Sequence, residues 1–85
     1  MSSSNPGYTE RQGQFLAYIH QYGVLNGRAP AEAEMQRFFR ITPPSVHSMV
    51  LMLEKKGFIS RVPGEARSIR VLVPEAELPV LRRVW

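Results

Sequence analysis

Thr42, Ser45, His47 and Ser48 fall within one seven-residue stretch, and Arg40, Arg61, Arg67 and Arg70 flank it on both sides. Hydroxyls, an imidazole and guanidinium groups gathered in one region suit hydrogen bonding to phosphates and base edges. They are poor equipment for catalysis. The sequence has no cysteine and no aspartate, and His20 and His47 stand 27 positions apart. That excludes disulfides, thiolate metal sites and cysteine nucleophiles. It leaves no Ser-His-Asp triad, zinc cluster or paired-aspartate centre to assemble. Glu54 and Glu65 are the only acids between residues 35 and 73, and they suit surface roles. No enzyme activity, metal, cofactor or small-molecule substrate is therefore expected.

The charge distribution points the same way. The net charge is +4, but residues 35–73 alone carry seven cations against two acids, while the flanking segments are near balance. Nine of the eleven cationic residues are Arg, the side chain best shaped for phosphate and base contacts. A solvated basic surface with no partner stands as the alternative, because +4 is modest.

These residues need a scaffold, and 85 residues provide one small domain. A 44% hydrophobic, 21% charged composition is that of a globular chain. No apolar run approaches the roughly 18 residues of a membrane span. The opening MSSSNPG lacks the basic-then-apolar order of a secretory signal. A soluble, cytoplasmic protein is expected.

Residues 1–7 read as a frayed arm. Thr9 and Gln12 form a T-x-x-Q capping box, and Phe15, Leu16, Ile19 and Tyr22 follow at helical spacing. A first helix is expected from Glu10 to Tyr22, with Gly23 as its stop. Tyr8 has only Gly13 or Gln14 to staple against, too little to rely on. After the loop GVLNGRAP, a second helix from Ala31 to Phe39 carries Met35, Phe38 and Phe39. Arg40 and Ile41 make a short turn. Thr42 caps a third helix, with Pro43 and Pro44 in its first turn, running to about Lys56. Val46, Met49, Val50 and Leu53 form its apolar stripe, and Pro44, Ser48, Leu51 and Lys55 lie opposite. Phe58–Val62 and Ser68–Val73 read as two strands around a Pro-Gly turn, and Pro74 ends the second. The tail, PEAELPVLRRVW, either packs back on the body or contacts a second subunit.

Helix, helix, turn, helix and hairpin, in that order, is a winged helix-turn-helix, an α+β fold whose wing is the hairpin. The sequence also resembles the amino-terminal DNA-binding domain of the LexA repressor family. The resemblance runs through YTERQGQFLAYI, GRAPAEAEM, TPPSVHSMVLMLEKKGFISR and the wing VPGEARSIRVL, covering residues 8–73 without gaps. It implies double-stranded DNA binding by a transcriptional regulator, with the third helix in the major groove. The family's self-cleaving domain, with its Ser-Lys pair, has no counterpart here, so peptidase activity is not carried over. Residues Thr42, Pro44, Ser45, His47 and Ser48 occupy the family's recognition positions. The family places an amide where Pro44 stands and acids where His47 and Ser48 stand, so its operator sequence is not implied.

The expected DNA contacts are Thr42, Pro44, Ser45, His47 and Ser48 in the groove, with Arg40, Arg61, Arg67 and Arg70 on the backbone. Strand alternation sets Arg61 and Arg70 away from the hairpin's apolar face, either as phosphate contacts or as solvated charges. Leu51 and Met52 are read as surface apolars, as thymine contacts or as part of a protein interface. A module this small suggests a homodimer on a two-fold site. The alternative function is a winged helix used for protein association, without DNA.

Overall fold

The computed structural model describes residues 7–82. Three helices come first: α1 (Glu10–Asn26), α2 (Glu32–Phe39) and α3 (Pro43–Lys55). A two-stranded antiparallel hairpin follows, β1 (Ile59–Ser60) and β2 (Arg70–Val71), and then a single 3₁₀ turn at Glu75–Glu77. This is the winged helix-turn-helix order, with a three-residue turn, Arg40 to Thr42, between α2 and α3. No helix among the described residues is long and apolar enough to cross a membrane.

One core holds the elements together. Phe15, Leu16 and Ile19 of α1 meet Met35 and Phe39 of α2, Val46, Val50 and Leu53 of α3, and Ile59 and Ile69 of the hairpin. Phe15 and Phe39 stack with ring centroids 4.0 Å apart and planes 11° from parallel. Burying α3 along Val46, Val50 and Leu53 fixes its rotation about its own axis, because residues three and four apart share a face. The opposite face, Pro44, Ser48, Leu51 and Lys55, is thereby turned outward and exposed.

Helix α1 departs from expectation at its end. Gly23 lies inside the helix, which runs on to Asn26. The stop is Gly27, whose φ of 71° closes the last turn through a 2.9 Å hydrogen bond from its amide to the Gly23 carbonyl. At the other end the capping box forms as expected, the Thr9 hydroxyl accepting from the Gln12 amide at 3.1 Å and Gln12 Oε1 accepting from the Thr9 amide at 2.9 Å. The Tyr8 staple is stronger than its sequence suggests. Its ring lies over Gly13, meets Phe58 edge-on at 6.0 Å, and its hydroxyl donates to the Glu77 carbonyl. A Cβ on Gly13 would sit 2.6 Å from that pinned ring. Gly13→Ala is therefore expected to destabilise by about 1 kcal/mol, the overpacking exceeding the gain in helix propensity. In a Tyr8→Ala background most of that cost disappears, leaving Pro79 Cγ at 3.1 Å as the close contact, and chemical denaturation of the four proteins would show the difference as a coupling.

Thr42 is an N-cap by backbone conformation only. Its side chain makes no capping bond to the helix and instead donates to Ser45 Oγ at 3.0 Å. Pro44 at the second helical position has removed one of the two amides that a cap side chain serves.

The strands are shorter than the two runs expected, pairing only Ile59 with Val71 and Ser60 with Arg70. Beyond them the Ser68 hydroxyl replaces the ladder, accepting from the Val62 amide at 2.9 Å and donating to the Val62 carbonyl at 3.1 Å. A side chain thus closes the hairpin where a backbone pair was expected.

The tail packs back on α1. Gln14, 1% exposed, donates to the Val80 carbonyl at 2.9 Å and accepts from the Arg82 amide at 2.7 Å. Glu75 pairs with His20 at 3.6 Å, and Arg82 pairs with Glu10. The arm over residues 1–6 and the last three residues, with Val84 and Trp85, lie outside the described residues.

Candidate nucleic-acid interface

The exposed face of α3 is built by exclusion. Its apolar stripe is consumed by the core, and what remains outward is Pro44, Ser48, Leu51 and Lys55 in the centre, with Ser45 and Met52 on one flank and His47 on the other. No carboxylate lies in the central row. Glu54 turns toward the hairpin, where its Oε1 accepts from Arg61 Nε at 3.0 Å. Glu32 of α2 reaches the other flank, with Oε2 3.4 Å from His47 Nδ1. Met52, 44% exposed, touches Gln12 through a 2.9 Å contact from Nε2 to Sδ. Leu51, 43% exposed, stands clear in the row.

The expected groove residues therefore share one side of α3, but they differ in availability. Ser48 is free to bond, Ser45 is engaged with Thr42, and His47 is shared with Glu32. Pro44 presents ring carbons and no donor.

The four arginines separate into two pairs. Arg40 ends α2 with φ at 57°, a left-handed conformation that costs a non-glycine residue about 1 kcal/mol. It is exposed in the turn that leads into α3. Arg70 is exposed on the outer face of β2. Neither forms an ion pair among the described residues, and nor do Lys55 and Lys56 at the far end of α3.

Arg61 and Arg67 depart from expectation. Pairing Ile59 with Val71 puts Ile59 on the core side, and a period of two puts Arg61 on that same side rather than the outer one. The Arg61 side chain is only 18% exposed, lying along α3 against Glu54.

Arg67 is held more firmly still. Its Nη1 and Nη2 donate to the two carboxylate oxygens of Glu34 at 3.0 and 3.1 Å. Nη1 also donates to the Ala29 carbonyl at 3.1 Å. Glu34 accepts further from Tyr22 Oη at 2.8 Å and from the Ala31 amide at 2.6 Å. The Arg67 guanidinium, the Ala31 amide and the Tyr22 hydroxyl hold the Glu34 carboxyl down at about 2, against the usual 4.5. This network fastens the turn of the wing to the end of α1, the following loop and α2 at once. Sequence reasoning missed it. Ala31 at the cap position hides the capping role of Glu34, and the partners stand up to 45 positions apart. The one local signal was an acid three residues after the N-cap.

Residues 5–68 match the sequence profile of a family described as the LexA DNA binding domain. The LexA repressor of Thermosipho melanesiensis is 39% identical over 64 residues, which cover 75% of this chain and 32% of that protein. The LexA repressor of Thermotoga petrophila is 43% identical over 63 residues, covering 74% of this chain and 32% of that protein. That of Thermotoga maritima is 41% identical over 63 residues, with the same coverage, 74% and 32%. The chain thus spans about a third of the length of the curated relatives it matches.

Proposed function

The chain belongs to the LexA DNA-binding domain family, and from that premise we propose that it is a transcriptional regulator that binds double-stranded DNA through α3 and the wing. The observation that carries this reading is the acid-free outward row of α3, with cations in the turn before it and at its far end that form no ion pair among the described residues. A helix about 10–12 Å across fits the major groove. Arg40, Lys55, Lys56 and Arg70 hold the phosphates, and Ser48 and His47 bond at the base edges. Arg61 and Arg67 set the position of the wing rather than gripping the backbone.

The chemistry is binding and not catalysis, with no cofactor or small-molecule substrate, and the setting is the cytoplasm. A single module of this size buries about 600–1,000 Å² on DNA, so a homodimer on a two-fold site supplies the affinity.

Fluorescence anisotropy with a random-sequence duplex, titrated across salt, tests the reading. Each phosphate neutralised contributes about −0.9 to the slope of log K against log salt, so three or four contacts give a slope of about −3 to −4. Arg40→Ala and Arg70→Ala should each flatten it by about one. Absence of binding even at low salt would overturn the proposal and direct attention to Leu51 and Met52 as a protein-binding surface.

A further inference from the structure

The first ten residues of α3, Pro43 to Met52, contain no Arg, Lys, Asn, Gln, Asp or Glu. Those six residue types make the bidentate and charged contacts that read guanine, adenine and cytosine in the major groove. The polar side chains in this stretch are Ser45, His47 and Ser48, and two of them already have partners. The outward row is instead apolar, hydroxyl, apolar: Pro44, Ser48, Leu51. Within the standard major-groove repertoire, the readout open to apolar side chains is contact with the thymine C5-methyl group.

We propose that Leu51 and Pro44 are specificity-determining residues of this domain, and that they select thymines by packing on their methyl groups. This rests on the DNA-binding reading above. The two residues are seven positions apart, about 10 Å along a helix rising 1.5 Å per residue. They therefore address thymines within about three base pairs of each other, with Ser48 bonding between them. The charge pattern suits the same occupant. The row itself bears no acid, and Lys55 at its end and Arg40 before its start carry no ion-pair partner among the described residues. Leu51 and Pro44 are exposed, so changing either leaves the core intact.

The test begins with selection of a bound sequence from a random duplex pool. Each thymine in the selected site is then replaced by uracil, which removes one methyl and keeps every hydrogen bond and charge. Burying a methyl is equivalent to about a fourfold change in affinity. The expected result is a loss of about fourfold at one or more thymines, with the loss abolished at one position in Leu51→Ala and at another in Pro44→Ala. Three outcomes would overturn the inference while leaving DNA binding intact: no sequence enriched, a selected site without thymine, or uracil sensitivity that both variants retain in full. Failure of the protein to bind any duplex at low salt would remove the underlying reading as well.

Discussion

Ser48→Glu should lower affinity for duplex DNA by about 30-fold, roughly 2 kcal/mol, without changing the stability of the free protein. Ser48 is exposed in the centre of the outward row of α3, with no hydrogen-bond partner to lose among the described residues. Glu is at least as good a helix former as Ser, so the fold has no reason to suffer. On DNA, however, the new carboxylate enters a groove walled by phosphates, on a site that this chain does not select for a cytosine amine to meet it, and an unmatched like charge at an interface costs kilocalories. The penalty is electrostatic, so it should shrink as salt rises, while a Ser48→Ala control stays within about threefold of the parent. Anisotropy titrations at two salt concentrations, with thermal melts of each variant, would measure both halves. Equal affinity in the Glu variant would place the groove-facing surface elsewhere. The neighbouring acid gives the reverse expectation: Glu32→Gln on α2, which removes the carboxylate beside His47 of α3, raises affinity modestly.

Glu34→Ala should cost about 2 kcal/mol of stability. The substitution leaves the Arg67 guanidinium, the Tyr22 hydroxyl and the Ala31 amide without their shared acceptor. Hydrogen bonds to a charged group that is 18% exposed are worth about 1.5–3 kcal/mol together once partial solvation is allowed for. The same carboxylate makes stability depend on acid. Its value falls from 4.5 to about 2 on folding, so its contribution is complete above the unfolded value. It is lost as pH falls from about 4.5 toward 2. Urea midpoints at pH 6, 4 and 2.5 should drop in the parent, with a visibly smaller drop in Glu34→Gln. A slope unchanged by that substitution would show that the clamp does not hold in solution. Because the clamp anchors the wing, Glu34→Ala should also weaken DNA binding at temperatures where the protein stays folded.

The positions that depart from the sequence reading share a cause. Helices were legible because their signals are local. The Thr9 capping box, the stripe of Val46, Val50 and Leu53, and the Pro43 start all lie within one or two turns of what they govern. The Gly23 stop failed because a glycine ends a helix only where the chain must leave with positive φ, and Asn26-Gly27 meets that condition better. The extent of the strands failed because a serine hydroxyl completes the hairpin in place of backbone pairing. Nothing in an alternating pattern of side chains announces that substitution.

For the site, the outward row of α3 followed from periodicity alone, since burying one face of a helix fixes the other. The residue types along that row, and the absence of acids from it, were likewise set by the sequence. Which cations remain unpaired was not. Arg61, Arg67, Arg40 and Arg70 are chemically alike, and composition cannot rank them. Folding brings Glu54 to Arg61 and Glu34 to Arg67 across 7 and 33 positions, and leaves Arg40 and Arg70 in water. Helix periodicity is a property of the backbone and is written in every few residues. Pairing of charges depends on which loops and strands converge, and only the packed chain decides that.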